Sequence, residues 1–207
     1  MEMIGESTIE EFCKERDRYL VEKFGSYGEQ LQNVKAYLKE SNDFRYLEGA
    51  KAHYAPCFST VAILEWVFDS IPDNQKYDAF IDVYIMAKDC SRWAWRFIPS
   101  IRECKPAAVK TYIRELADSE GNIIVYRGGL ERRDPARFTS WTISLEVAEF
   151  FAKCTKGKET VVYKGVITAD DVAAYTDERQ EQEIIQFRRV KHIEKIRHYG
   201  KGSKTKR

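Results

Sequence analysis

The chain has 207 residues, enough for one well-packed domain or for two small lobes. Hydrophobic residues at 43%, aromatics at 13% and a formal net charge of +1 exclude global disorder and a uniformly polyanion-binding chain. The charge is uneven: from Arg188 to Arg207 nine Lys/Arg face one acid, Glu194, which leaves 25 basic and 32 acidic side chains in the first 187 residues. The C-terminal end is therefore suited to phosphate or another anion.

Five cysteines (Cys13, Cys57, Cys90, Cys104 and Cys154) form an odd number without a C-x-x-C pair, which predicts reduced thiols in a cytosolic protein rather than a disulfide framework. His53 and Cys57 are four apart, but Pro56 lies between them and no second Cys/His pair is near, so no metal site is expected. The start, Met-Glu-Met-Ile-Gly-Glu, has no basic region, and the longest apolar run, Val61 to Phe68, is short and contains Glu65. The expectation is a cytoplasmic protein with no signal peptide, no transmembrane helix and no membrane partner.

In chain order, Ser7 or Thr8 with Glu10 or Glu11 three residues on gives a capping-box start to a helix. Ile9, Phe12, Cys13, Leu20 and Phe24 fall near one face of it, and Gly25 and Gly28 end it. Leu31, Val34 and Leu38 carry a second helix that leaves at Ser41-Asn42-Asp43. Val61 to Phe68 is apolar almost all round, as in a buried helical segment. Tyr77, Phe80, Ile81, Tyr84 and Ile85 repeat at helical spacing, in a segment expected to run on into Trp93-Ala94-Trp95 and to stop before Pro99. Arg92, Trp93, Trp95 and Arg96 admit two readings: a stacking surface for single-stranded nucleic acid, or half-buried tryptophans with arginine stems beside them. Pro106 suits the first turn of a helix with Val109, Tyr112, Ile113 and Leu116 on one side.

At Asp118 to Asn122 the pattern changes. Ser119-Glu120-Gly121-Asn122 is a turn, and β-branched and aromatic runs follow at Ile123–Tyr126, Phe138–Thr142, Val161–Ile167, Ile184–Phe187 and Val190–Ile196. One helix interrupts them, from about Ser144 to Lys153, with Leu145, Ala148, Phe151 and Ala152 inward. The predicted fold class is α+β: a helical lobe over 1–118, a mostly β lobe over 119–199, and a basic tail over 200–207 with no apolar residue to hold it.

Three pieces of the β lobe carry chemistry. Ile123-Ile124-Val125-Tyr126-Arg127-Gly128-Gly129 is a strand ending in an arginine, whose rigid fork suits phosphate or carboxylate; the glycines would let a flat ligand approach the backbone. Phe138-Thr139-Ser140-Trp141-Thr142 places hydroxyls at alternate positions, hence on one face, where they can hold a carboxylate. Glu178-Arg179-Gln180-Glu181-Gln182-Glu183-Ile184-Ile185 runs a charged loop into an apolar strand. If Glu181 and Glu183 are both extended, they share a face, about 6 to 7 Å apart. Two carboxylates that close raise each other's pKa unless a cation, donor or substrate hydroxyl lies between them. Such a pair serves reactions at a sugar carbon; alone, it is also what a solvated acidic hairpin contains.

Together, strand-Arg-Gly, aromatic-x-Ser-x-Thr before a helix rich in Ala and Phe, and E-x-E leading into an apolar strand resemble the Arg-Ser-Glu class of mono-ADP-ribosyltransferases, the cholera-toxin-like group. The resemblance spans about residues 121–198. Thr142 stands where many members have serine, and the β lobe is short for the family. The resemblance implies two small sheets around a cleft for NAD+, used as a substrate. It makes Arg127 the phosphate anchor, with the Gly128 backbone on the nicotinamide amide, and has Ser140, with Thr142, position Glu183. Glu183 would accept from the nicotinamide-ribose 2′-hydroxyl and stabilise an oxocarbenium-like transition state, while Glu181 orients or deprotonates the nucleophile. The loop from Thr176 to Gln180 would face the target; Phe150 and Phe151 are assigned to the core.

The implied activity is transfer of ADP-ribose to an intracellular macromolecule, either a protein arginine or an RNA or DNA base. By analogy with small enzymes of this type, such a chain would be the toxin of a toxin-antitoxin or phage-defence system with a neutralising antitoxin partner. Two alternatives stay open: an NAD+ glycohydrolase with water as acceptor, and a catalytically silent module that binds protein or nucleic acid.

Overall fold

The computed structural model describes residues 6–56, 58–87, 93–155 and 158–200, with residues 6–13 and 17 as backbone only. Helices and one antiparallel sheet make it an α+β protein, divided into two compact units, Met1–Ala87 and Lys88–Arg207. Among the described residues no helix is long and apolar enough to cross a membrane. The side chains of the expected face residues Ile9, Phe12 and Cys13, together with Cys57, Cys90, Arg92 and the tail 201–207, lie outside what is described.

Among the described residues the first unit holds five α-helices, α1 (Glu6–Phe24), α2 (Tyr27–Ser41), α3 (Leu47–Tyr54), α4 (Thr60–Val67) and α5 (Asp73–Met86), with a 3₁₀ turn over Phe68–Ser70 after α4. Gly25, at φ 82°, ends α1, and its N–H donates to the Val21 carbonyl at 2.9 Å. Gly28 does not help to end α1; it lies in the first turn of α2, whose start is a capping box between Ser26 and Glu29. Helix α3 was not expected, since it has no side-chain cap and offers only Leu47 and Ala50 to the interior. In α4, Ile63, Leu64 and Val67 are buried but Trp66 is 46% exposed, so the segment is one-sided rather than buried all round. Helix α5 buries Tyr77, Phe80, Ile81 and Tyr84 as their spacing requires and ends at Met86. The expected continuation is replaced, where described, by a separate 3₁₀ turn over Ala94–Arg96.

The second unit opens with α6 (Ile98–Glu103) and α7 (Ala107–Glu115), followed by β1 (Asn122–Leu130), β2 (Ser140–Thr142), α8 (Leu145–Cys154), β3 (Thr160–Thr168), β4 (Val172–Thr176), β5 (Glu183–Gln186) and β6 (Lys191–Tyr199). Pro99 lies in the first turn of α6, where a missing N–H costs nothing, so it opens a helix rather than closing one. The secondary structure changes at 118, as the sequence predicts, but the packing boundary falls between Ala87 and Lys88, and α6 and α7 pack on β4.

The strand order is β4-β5-β2-β1-β3-β6, every pair antiparallel. Strands β1 and β3 pair along nine residues, from Asn122↔Thr168 to Leu130↔Thr160, whereas β1 and β2 meet only at Tyr126↔Thr142. In place of two separate small sheets there is thus one sheet made of two three-stranded halves joined at a single residue pair. One face carries the larger core, in which Ile113 of α7 packs with Ile123, Val125, Trp141, Tyr163 and Ile184. Helix α8 covers the other face through Ala148 and Ala152 against Val162. That helix comes so close that a Cβ on Gly128 would lie 1.7 Å from the Ala148 carbonyl oxygen.

Candidate active site

Because β1 and β2 pair at one position, the strands part beyond Tyr126, and Arg127 stands at the opening. Its Nη1 donates to the Ser140 carbonyl at 3.3 Å and to Ser140 Oγ at 3.1 Å, and its guanidinium lies over the Phe138 ring, 5.1 Å from the centroid. The buried Nε has no hydrogen-bond partner. A buried guanidinium donor without an acceptor is costly in a folded chain, and an anion reaching it would remove that cost.

On the other side of the opening, β5 places Glu183 between two threonines: the registers Thr142↔Glu183 and Thr176↔Glu183 put it opposite β2 and β4 at once. With Tyr126↔Thr142, these pairs form one row across four strands, with neighbours about 5 Å apart. Glu183 is 6% exposed, and the Nη2 of Arg179 lies 2.9 Å from its Oε2. The same Nη2 is 3.1 Å from Oε2 of Glu181. One guanidinium nitrogen therefore serves both carboxylates, which is how two acids this close remain in one site. Burial pushes the Glu181 carboxyl up; Arg179 opposes that, Glu183 adds to it, and Arg127 opposes it at longer range. A raised carboxyl is the stronger base once ionised.

The loop between β4 and β5 is held by its own polar groups. Asp177 Oδ1 accepts from the Gln182 N–H at 3.0 Å, and Thr142 Oγ1 donates to the Glu181 carbonyl at 2.6 Å. Gln180 and Gln182 sit at φ 57° and 46°, in the left-handed region. Glu181 and Glu183 are thus not two points on one extended strand; loop geometry and Arg179 bring them together. Gln186, fully buried, donates from Nε2 to the carbonyls of Ala136 and Phe138 at 2.8 and 2.6 Å and accepts from the Val190 N–H at 3.0 Å. It fixes the approach to β2 against β5.

The candidate site residues lie on β1, β2, β5 and the loop before β5, with some changes of partner. Arg127 is on β1, and Ser140 is tied to Arg127, opposite Ile185 in register rather than opposite Glu183. Thr142 is the hydroxyl that faces Glu183 and grips the Glu181 backbone. At Gly128 the close approach is made by α8, while nothing stands within 4 Å of a Cβ position on Gly129. Phe150 and Phe151 are not in the core: they are 62% and 38% exposed. Trp93 and Trp95 are half-buried, and the Trp93 ring packs on Phe97 at 6.0 Å. Among the described residues no group of His, Cys, Asp and Glu is placed to hold a metal ion. Sequence reasoning gave no role to Gln186 and placed Thr176 and Arg179 only within a loop expected to face the target; that Arg179, four residues before Glu183, bridges the two carboxylates has no signal in a charged loop. Comparisons of the chain with protein-family models, curated proteins and solved structures give no match.

Proposed function

We propose that the chain is a mono-ADP-ribosyltransferase that uses NAD+ as donor and a macromolecule as acceptor. One observation carries the reading: the sheet sets Arg127, a phosphate-type arginine with an unpartnered Nε on β1, two strands from a buried carboxylate, Glu183 on β5, with a second carboxylate, Glu181, beside it and within electrostatic reach of Arg127. In this reading Arg127 takes the NAD+ phosphate, braced by Ser140, and the Gly128 backbone meets the nicotinamide amide. Glu183 accepts from the ribose 2′-hydroxyl and opposes the positive charge that develops as nicotinamide leaves. Glu181 receives the proton of the nucleophile. Arg179 keeps the two carboxylates together.

Incubation with labelled NAD+ and a cell lysate tests this. Transfer of label to a macromolecule is expected, and Glu183→Gln is expected to lower the rate at least ~100-fold, the scale for loss of a charge-stabilising group. Free ADP-ribose as the sole product would make the protein an NAD+ glycohydrolase. No NAD+ consumption, or near-wild-type rate in folded Glu183→Gln, would leave a binding module.

A further inference from the structure

The loop that joins β1 to β2 holds an open depression of about 580 Å³ lined by Arg132, Arg133, Asp134 and Arg137. Its single acid is already committed: Asp134 Oδ2 is 3.1 Å from Nε of Arg137 and 3.4 Å from Nη1 of Arg189. Arg132 and Arg133 are exposed and have no carboxylate partner among the described residues. The Arg132 guanidinium lies over the Phe138 ring at 4.7 Å, and the same ring carries Arg127 at 5.1 Å. The Phe138 ring therefore packs with both Arg132 of the basic depression and Arg127, the candidate phosphate anchor.

The carboxylates supply a second, independent observation. An acceptor arginine would seek the place between Glu181 and Glu183, and the chain's own Arg179 fills it at 3.1 and 2.9 Å. A cationic acceptor would compete with a guanidinium already neutralising both acids. A neutral nucleophile meets no such competition.

From these two features, and resting on the transferase reading above, we propose that the acceptor is a single-stranded nucleic acid: its phosphates lie along Arg132, Arg133 and Arg137, and a base nitrogen enters beside Glu181. Arginine forks fit phosphate oxygens, and a base is reachable only when it is out of a duplex stack. In the reaction the base nitrogen forms a bond to C1 of the nicotinamide ribose. The bond from that carbon to the nicotinamide nitrogen breaks, its electron pair leaving with neutral nicotinamide, and Glu181 takes the proton lost by the base and passes it to water.

The test uses the full chain and a mixed-sequence, fluorescently labelled single-stranded oligonucleotide, as RNA and as DNA, without NAD+. Anisotropy should show binding that weakens linearly in log salt, and Arg132→Glu/Arg133→Glu should reduce that slope by roughly 2. Arg133→Glu alone, at an exposed side chain that holds nothing in the fold, should reduce it by roughly 1. With labelled NAD+ and lysate, the label should be removed by nuclease and resist protease. Oligonucleotide binding unaffected by the charge reversals, or label removed by protease and not nuclease, would overturn the proposal while leaving the transferase reading intact. Salt-dependent binding without any NAD+ consumption would overturn the transferase reading and, with it, the assignment of this surface to an acceptor.

Discussion

The two halves of the sheet are built on different principles. In β1-β3-β6, three nine-residue strands run side by side; β1 and β3 pair without a break, β3 and β6 with two register shifts, and α8 is laid against Gly128. In β4-β5-β2 the strands are five, four and three residues long, too short for the ladder alone to fix their positions. Side chains do that work instead: Gln186 ties β5 to the segment before β2, Thr142 holds the Glu181 backbone, and Lys105 donates to the Val172 carbonyl on β4. Glu183 sits in the short half with Glu181 in the loop before it, and Arg127 in the long one; β1 does not end at the arginine, as its glycines suggested, but continues paired with β3 to Leu130. The loop before β5 can therefore move without moving Arg127, which sits on a strand paired along its length.

This contrast can be broken or sharpened by substitution. The largest effect is expected at Gly128→Ala in the long half, where a new Cβ would strike the Ala148 carbonyl that α8 presents. Overpacking against backbone should cost about 3 kcal/mol, seen as a lower denaturant midpoint; an unchanged midpoint would mean that α8 does not lie as close as described. Next is Gln186→Leu in the short half, which strands two carbonyls and one N–H and should cost about 2 kcal/mol. If the ladder rather than Gln186 positioned β5, the variant would keep wild-type stability. Thr142→Val should cost about 1 kcal/mol and show its effect locally: amide exchange at Gln182 should quicken while amides of β1 stay protected. Equal change in both places would count against a separately held loop.

The smallest effect is a pH slope at Lys105. Burial, then the charges of Arg102 and Lys110, push its ammonium from 10.5 down to about 8. A folded pKa below the unfolded one means that the unfolded chain binds more protons between those values. This residue's contribution to stability therefore rises as pH goes from about 8 to 10.5 and is at its least below 8. In Lys105→Met that portion of the slope should be missing from a comparison of urea midpoints across the window; identical slopes would show that the lysine titrates as if exposed.

The long half is also the half most legible in the sequence. Ile123–Tyr126 and Val161–Ile167 are runs of β-branched and aromatic residues, and β1 and β3 cover them. Ser144 caps α8 where the pattern places a helix start, accepting from the Val147 N–H. The edge strand β4, Val-Ala-Ala-Tyr-Thr, escapes such a reading because alanine has little strand preference and its burial comes from neighbours. Phe151 was expected inward from its spacing with Ala148, yet a helix that packs backbone-close on a glycine contacts the sheet through its alanine stripe and turns large rings outward.

For the site, residue types and order along the chain determine that a strand carrying Arg127 and its glycines, a hydroxyl-bearing strand and a pair of glutamates exist, because strand period and composition are local properties. Which groups meet is decided by the tertiary structure. That Ser140 serves Arg127, that Thr142 faces Glu183, and that Arg179 sits between the two carboxylates depend on register across three strands and on two left-handed loop residues. The physical reason is that hydrogen bonds and ion pairs act over about 3 Å, and only the folded backbone brings residues tens of positions apart within that distance.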